Sequence, residues 1–172
     1  DDLLEPVTSF MDEGSTAVLF GTDGKQTIVT GSVSALCADG GSRILAQNAI
    51  FEANSEEKKS TLFLVNDVKA WLRGGEVTGN VLADLWEGSR LFSQGTQWTI
   101  RTAEANKTAF DLTGNNADTQ IGYKLIFDAS SSIEGIPTTE DFSLITFREK
   151  GGGVRLDDTR LVQANHSETR SD

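Results

Sequence analysis

The sequence predicts an all-β domain, an antiparallel β-sandwich of jelly-roll type with about ten strands. Three observations carry that expectation. Apolar residues recur with a period of two, helical periodicity is scarce, and Gly, Asn, Asp and Ser punctuate the apolar runs.

The clearest alternation runs over 61–72. Leu62, Leu64, Val68, Ala70 and Leu72 fall on one face and Thr61, Asp67 and Lys69 on the other, with Asn66 the exception on the apolar side. Such a pattern describes a strand with one face buried. Val77, Val81, Ala83 and Leu85 repeat it, with Thr78, Asn80 and Asp84 opposite, and Gly74-Gly75 between the two runs reads as a tight turn. Shorter strands at 17–20 and 27–29 flank Thr22-Asp23-Gly24-Lys25, where Asp-Gly suits a hairpin turn. Further strands are expected at 42–51, 98–102, 110–113, 123–127, 142–147 and 154–162. Pro6 and Pro137 both fall outside these runs.

The 172 residues suit one domain, expected over 1–162, with the polar run 163–172 as a frayed tail or the start of a linker. No internal repeat is evident. Residues 53–60 form a charged loop or one exposed helical turn. A domain of this length buries roughly two-thirds of its unfolded surface without staples. Cys37, the one cysteine, permits no intrachain disulfide; it reads as a small buried hydrophobe, because Leu36, Ala38 and Asp39 offer no cation to activate a thiol.

The net charge of −11, from 26 acidic and 15 basic residues, repels phosphate backbones and argues against nucleic-acid partners. The apolar runs are too short for membrane insertion. Opening on Asp1-Asp2, the sequence shows neither the basic nor the apolar region of a signal peptide. Catalysis lacks its usual parts. His166, the only histidine, lies in the polar tail, so neither a Ser-His-Asp nor a Cys-His arrangement is in prospect. Gly151-Gly152-Gly153 lacks the Lys-Ser/Thr of a phosphate loop and reads as a hairpin tip. A carboxylate pair of glycosidase type is not excluded, but chance alone supplies such pairs among 26 acids. The expectation is a non-enzyme.

Trp71, Trp86, Trp98 and Tyr123 are the candidate ligand-binding residues, since sugars stack their C–H faces on exposed aromatic rings. Trp86, beside Glu87-Gly88 at a strand end, is the best placed for exposure; Trp71 falls on the face opposite Leu72, and Trp98 begins a strand. Core or edge packing is the competing role for each. Asn106 and Asn165 fit the glycosylation acceptor pattern, which also arises by chance. On the last apolar run, Arg155 and Asp157 share one face and Val154, Leu156 and Asp158 the other. One Asp of the pair then points inward and needs a partner charge or a metal.

The run from Gly153 to Leu161, with its Val-Arg-Leu-Asp-Asp-Thr-Arg-Leu core, resembles the closing strand of galactose-binding-like jelly rolls, the carbohydrate-binding β-sandwich modules. Leu3-Leu4-Glu5-Pro6 with Ser9-Phe10-Met11-Asp12-Glu13-Gly14 is similar to their opening. Residues 68–73 and 95–99 are similar to their middle strands. The opening lacks the family's Asn-Pro-Gly, Met11 stands where Glu is usual, and Thr159 replaces an apolar residue. The resemblance implies a structural Ca²⁺ between the first and last segments, with Asp12 or Glu13 and Asp157 or Asp158 as its metal ligands. It also implies a non-catalytic carbohydrate-binding domain of a larger extracellular or cell-surface protein. The alternative is a structural or adhesive sandwich of a virion, appendage or surface assembly. The expected partners are thus a glycan or neighbouring protein chains.

Overall fold

The computed structural model describes residues 9–31, 33–53, 60–101, 108–113, 123–128, 132–136, 143–147, 152–156, 160–163 and 168–171. The named strands all pair in parallel and wind as a coil through three sheets. In chain order they are β1 (Ser9–Met11), β2 (Thr16–Phe20), β3 (Thr27–Gly31), β4 (Leu36–Ala38), β5 (Arg43–Gln47), β6 (Ala49–Ala53) and β7 (Ser60–Val65). Then follow β8 (Lys69–Arg73), β9 (Glu76–Gly79), β10 (Val81–Trp86), β11 (Arg90–Gln94), β12 (Gln97–Ile100) and β13 (Thr108–Thr113). The last six are β14 (Tyr123–Asp128), β15 (Ser132–Ile136), β16 (Ser143–Phe147), β17 (Gly152–Leu156), β18 (Arg160–Gln163) and β19 (Glu168–Ser171).

Each strand pairs with those three before and three after it. Sheet I is β1-β4-β7-β10-β13-β16-β19, sheet II is β2-β5-β8-β11-β14-β17, and sheet III is β3-β6-β9-β12-β15-β18. This is a parallel β-helix, a solenoid in which each three-strand coil stacks on the next.

The coil is set at its corners. Between sheets I and II, Glu13-Gly14, Gly40-Gly41, Asn66-Asp67 and Glu87-Gly88 each place two successive residues at positive φ, between 51° and 81°. Ser15, Ser42 and Ser89 close three of these turns by donating backbone N–H groups to the carbonyls of Asp12, Asp39 and Trp86, at 3.1–3.2 Å. The corners also bond to one another along the axis: Gly14 N donates to Gly40 O, Gly41 N to Asn66 O, and Asp67 N to Glu87 O, at 2.8–2.9 Å. Between sheets II and III, Asn48, Gly74 and Gly95 repeat a positive φ of 52–67°, followed at the middle corner by a second at Gly75. Gly75 is required there, because its φ is +74° and an added Cβ would run into the Ala49 carbonyl.

Strand alternation fills the interior in aligned columns. Leu36, Leu62, Ala83, Phe110 and Ile145 stack on sheet I. Ile44, Ala70 and Leu91 stack on sheet II, and Phe51, Val77, Trp98 and Ile133 on sheet III. Trp98 joins the three walls. Fully buried on β12, it meets Phe110 of β13 edge-on at 5.3 Å and donates its indole N–H to Ser93 Oγ of β11 at 2.9 Å.

The all-β expectation holds, but the antiparallel sandwich and the jelly roll do not. A jelly roll is built from antiparallel strands in two sheets; here the 19 strands among the described residues run parallel and form three sheets. The run 61–72 is two strands, because Asn66 and Asp67 turn the chain from sheet I to sheet II. Gly74-Gly75 is a corner, not a reversal. Thr22 and Lys25 do form an antiparallel bridge, yet the β2 and β3 on either side of it belong to different sheets. The stretch 163–172 contributes β19, which pairs with β16.

The resemblance to galactose-binding-like modules is corrected with the fold. Its sugar-binding, calcium-binding and extracellular character rested on a jelly roll that this chain does not form. The calcium site required the first and last segments side by side. Instead β2, just after Asp12-Glu13, and β17, just before Asp157-Asp158, lie at opposite ends of sheet II, about 24 Å apart at the strand spacing of a sheet.

Candidate ligand-binding face

The outer face of sheet II carries three rows of side chains running along the axis, because successive coils are in register. The first is Arg43, Lys69 and Arg90, continued in backbone register by Lys124. The second is Val18, Leu45, Trp71 and Phe92, continued in register by Ile126 and Arg155. The third is Phe20, Gln47, Arg73 and Gln94, with Asp128 next in register. Neighbouring side chains in a row are about one strand spacing, 4.8 Å, apart.

The apolar row is open to solvent. Val18 is 70% exposed, Leu45 43% and Trp71 37%. Trp71 stacks on half-buried Phe92, ring centroids 5.8 Å apart and planes within 9°, so each ring gives one face to the other. Beyond the third row the surface dips at the corner into sheet III. A shallow groove of about 390 Å³ lies there, lined by Gln47, Asn48, Arg73, Gly74, Gln94 and Gly95. It is floored by backbone: the glycines and Asn48 that turn the corner leave little side chain to fill it.

Charge is sorted by face. Among residues whose side chains are described, the strands of sheet II direct Arg43, Lys69, Arg73 and Arg90 outward and no carboxylate. Sheet III carries Glu52 and Glu76 on its outer positions, and sheet I carries Asp84 and Asp111.

The residues expected to form a site are dispersed. Trp71 lies on sheet II. Trp86 lies on the outside of sheet I, 36% exposed, tilted at 48° against Phe63 with centroids 6.2 Å apart, and its indole N–H donates to Asp84 Oδ1. Trp98 has no exposed surface and belongs to the interior. Tyr123 opens β14 in register with Gly152; its side chain lies outside the described residues. Asp12 and Glu13 form the first corner, where Asp12 Oδ1 accepts the Glu13 backbone N–H at 2.7 Å. Asp157, Asp158, Asn106, Asn165 and His166 lie outside the described residues. Among the described residues no group of three His, Cys, Asp or Glu side chains is placed to hold a metal.

Cys37 sits half-buried on the outer side of sheet I between Phe10 and Phe63. Burial pushes its thiol above the ordinary value, and a hydrogen bond with Ser34 draws it part of the way back. Such a thiol is a poor nucleophile at neutral pH. Comparison of the chain with known protein families, curated proteins and solved structures finds no match.

Sequence reasoning missed Arg43, Lys69, Arg73, Arg90, Gln47 and Gln94. A signal was present: Gly41-Ser42-Arg43-Ile44 and Gly88-Ser89-Arg90-Leu91 are one motif repeated, with Val68-Lys69-Ala70 as its intermediate copy. Aligning these brings the three cations into one column.

Proposed function

We propose that this chain is a non-catalytic binding domain whose ligand is a linear polysaccharide lying along the outer face of sheet II, parallel to the solenoid axis. The carrying observation is the repetition of like side chains over three successive coils, from Arg43 to Gln94: a cation in one row, an apolar group in the next, an amide or Arg in the third. A face with a translational repeat suits a ligand with a translational repeat, because each added unit gains the same contacts as the last. Ring edges and aliphatic side chains meet the apolar faces of a pyranose, and Gln47, Arg73 and Gln94 offer hydrogen bonds to its hydroxyls. The face is built on strands, so little conformational entropy is lost when a ligand binds.

The test is tryptophan fluorescence and affinity electrophoresis against a panel of soluble neutral and acidic polysaccharides. Binding by at least one linear polysaccharide, abolished in Trp71→Ala and Gln94→Ala and retained in Trp86→Ala, is the expected result. No binding to any member, or binding lost only in Trp86→Ala, would overturn it.

A second reading, assembly with a neighbouring protein chain, is favoured by the first coil. Phe10, Val18, Phe20 and Ile28 are 60–70% exposed there, and β1, β2 and β3 are the edge strands of their sheets. Exposed apolar side chains beside an open strand edge form a surface that another chain can extend. Self-association that rises with concentration and is lost in Phe10→Ser/Phe20→Ser would support it.

A further inference from the structure

We infer that the polysaccharide is an acidic one, bearing carboxylate or sulfate groups on successive residues, and that Arg43, Lys69 and Arg90 meet those groups one coil at a time. The inference rests on the reading of sheet II as a glycan platform and adds the chemical class of the ligand.

The cation row is costly on its own. Arg43, Lys69 and Arg90 stand directly in register across neighbouring strands, and like charges so placed destabilise a sheet. The preceding corners carry Asp39, Asp67 and Glu87, yet none of them forms an ion pair with the row among the described residues. Arg90 Nε is buried and has no hydrogen-bond partner among the described residues. A buried unsatisfied donor on a charged group is uncommon in a folded chain. The row also runs against the chain's net charge of −11, while the described acidic side chains on strands, Glu52, Glu76, Asp84 and Asp111, lie on the other two faces.

A repeating anion removes the repulsion along the row. Its charges neutralise the row, and its oxygens accept from the cationic ends of Arg43, Lys69 and Arg90. One coil is about 4.8 Å tall, of the order of one sugar residue's length, so the anions on the side of the polymer that faces the sheet come within reach of the row. The corner carboxylates repel the polymer from the edge of the sheet and keep it over the apolar row. A nucleic acid offers the same sign of charge, but Glu52, Glu76, Asp84 and Asp111 on the flanking faces give it no second surface to wrap.

The experiment titrates the whole chain with polygalacturonate, dextran sulfate, fully methyl-esterified polygalacturonate and oligothymidylate, at low and high NaCl. The expected result is that polygalacturonate or dextran sulfate binds at least about tenfold tighter than the esterified polymer, with the advantage lost in high salt. Which of the two binds tells carboxylate from sulfate. Arg43→Gln/Lys69→Gln/Arg90→Gln erases the advantage; should that variant fail to fold, Lys69→Gln alone is expected to reduce it severalfold. Equal binding of the esterified and acidic polymers overturns the acidic assignment and leaves the glycan platform standing. Absence of binding to all polysaccharides overturns both. Oligothymidylate binding as tightly as the acidic glycans overturns the assignment in favour of unselective polyanion binding.

Discussion

Sheets I and II each show one tryptophan to solvent, and almost equally: Trp86 is 36% exposed and Trp71 37%. Their surroundings differ. Trp86 tilts on Phe63 and spends its only polar group on Asp84, so its hydrogen bonding is complete within the protein. Trp71 lies flat on Phe92 between a row of cations and the row of Gln47, Arg73 and Gln94, whose side chains make no hydrogen bond with one another or with the other described residues. Exposure alone therefore does not mark a binding aromatic. The polar groups beside it do, according to whether they are already satisfied.

The largest expected effect removes what the two sheets share. Trp98 touches Phe110 on one wall and Ser93 on another, so Trp98→Ala opens a cavity under both. A loss of about 3–5 kcal/mol is expected, lowering the melting temperature by roughly 10 °C in a chain of this size. Calorimetry checks it, and a loss below about 1 kcal/mol would mean that the walls stand independently. Next come the exposed rings. Trp71→Ala and Trp86→Ala should each cost about 0.5–1.5 kcal/mol through the lost ring pair, measured by urea denaturation. Equal costs with unequal glycan binding would sharpen the contrast between the faces; equal effects on binding would erase it.

The smallest effect concerns Cys37 on sheet I. Its thiol titrates higher in the folded chain than in the unfolded one, where the ordinary value is 9.0. The neutral form is thus favoured by folding, and its contribution is complete below pH 9.0 and lost as pH rises through the folded value. The melting-temperature difference between wild type and Cys37→Ala should stay constant at neutral pH and shift against the wild type above that point. A constant difference throughout would show that burial does not hold the thiol neutral.

Strand content was legible in the sequence because period-two burial is a property of a single strand. Direction was not, because Leu62 and Leu64 alternate identically whether the next strand runs with them or against them. What decides is the connection. Asn66 interrupts an otherwise regular apolar face, and that interruption is a corner: it and Asp67 hold φ of 64° and 59°. Gly74-Gly75 reads as a tight turn in either fold, since positive φ serves a hairpin and a corner alike. The repeat was obscured by unequal coils. Register advances 27 residues from Thr16 to Arg43, 26 to Lys69 and 21 to Arg90, so no fixed period stands out. The candidate face was harder still. Arg43, Lys69 and Arg90 are far apart in sequence and become neighbours only once the coils are stacked.

The one-way winding has a mechanical consequence. Each strand pairs only with the strands above and below it in its sheet, and the Arg101 side chain reaches past one coil, donating to the Ala53 carbonyl at 3.1 Å. Tension applied between the two ends would then shed the molecule like thread from a spool, one winding at a time. A winding of 21 residues releases about 70 Å of chain, and the longer windings release more, so the force trace would record the uneven spacing of the coils as a series of unequal steps.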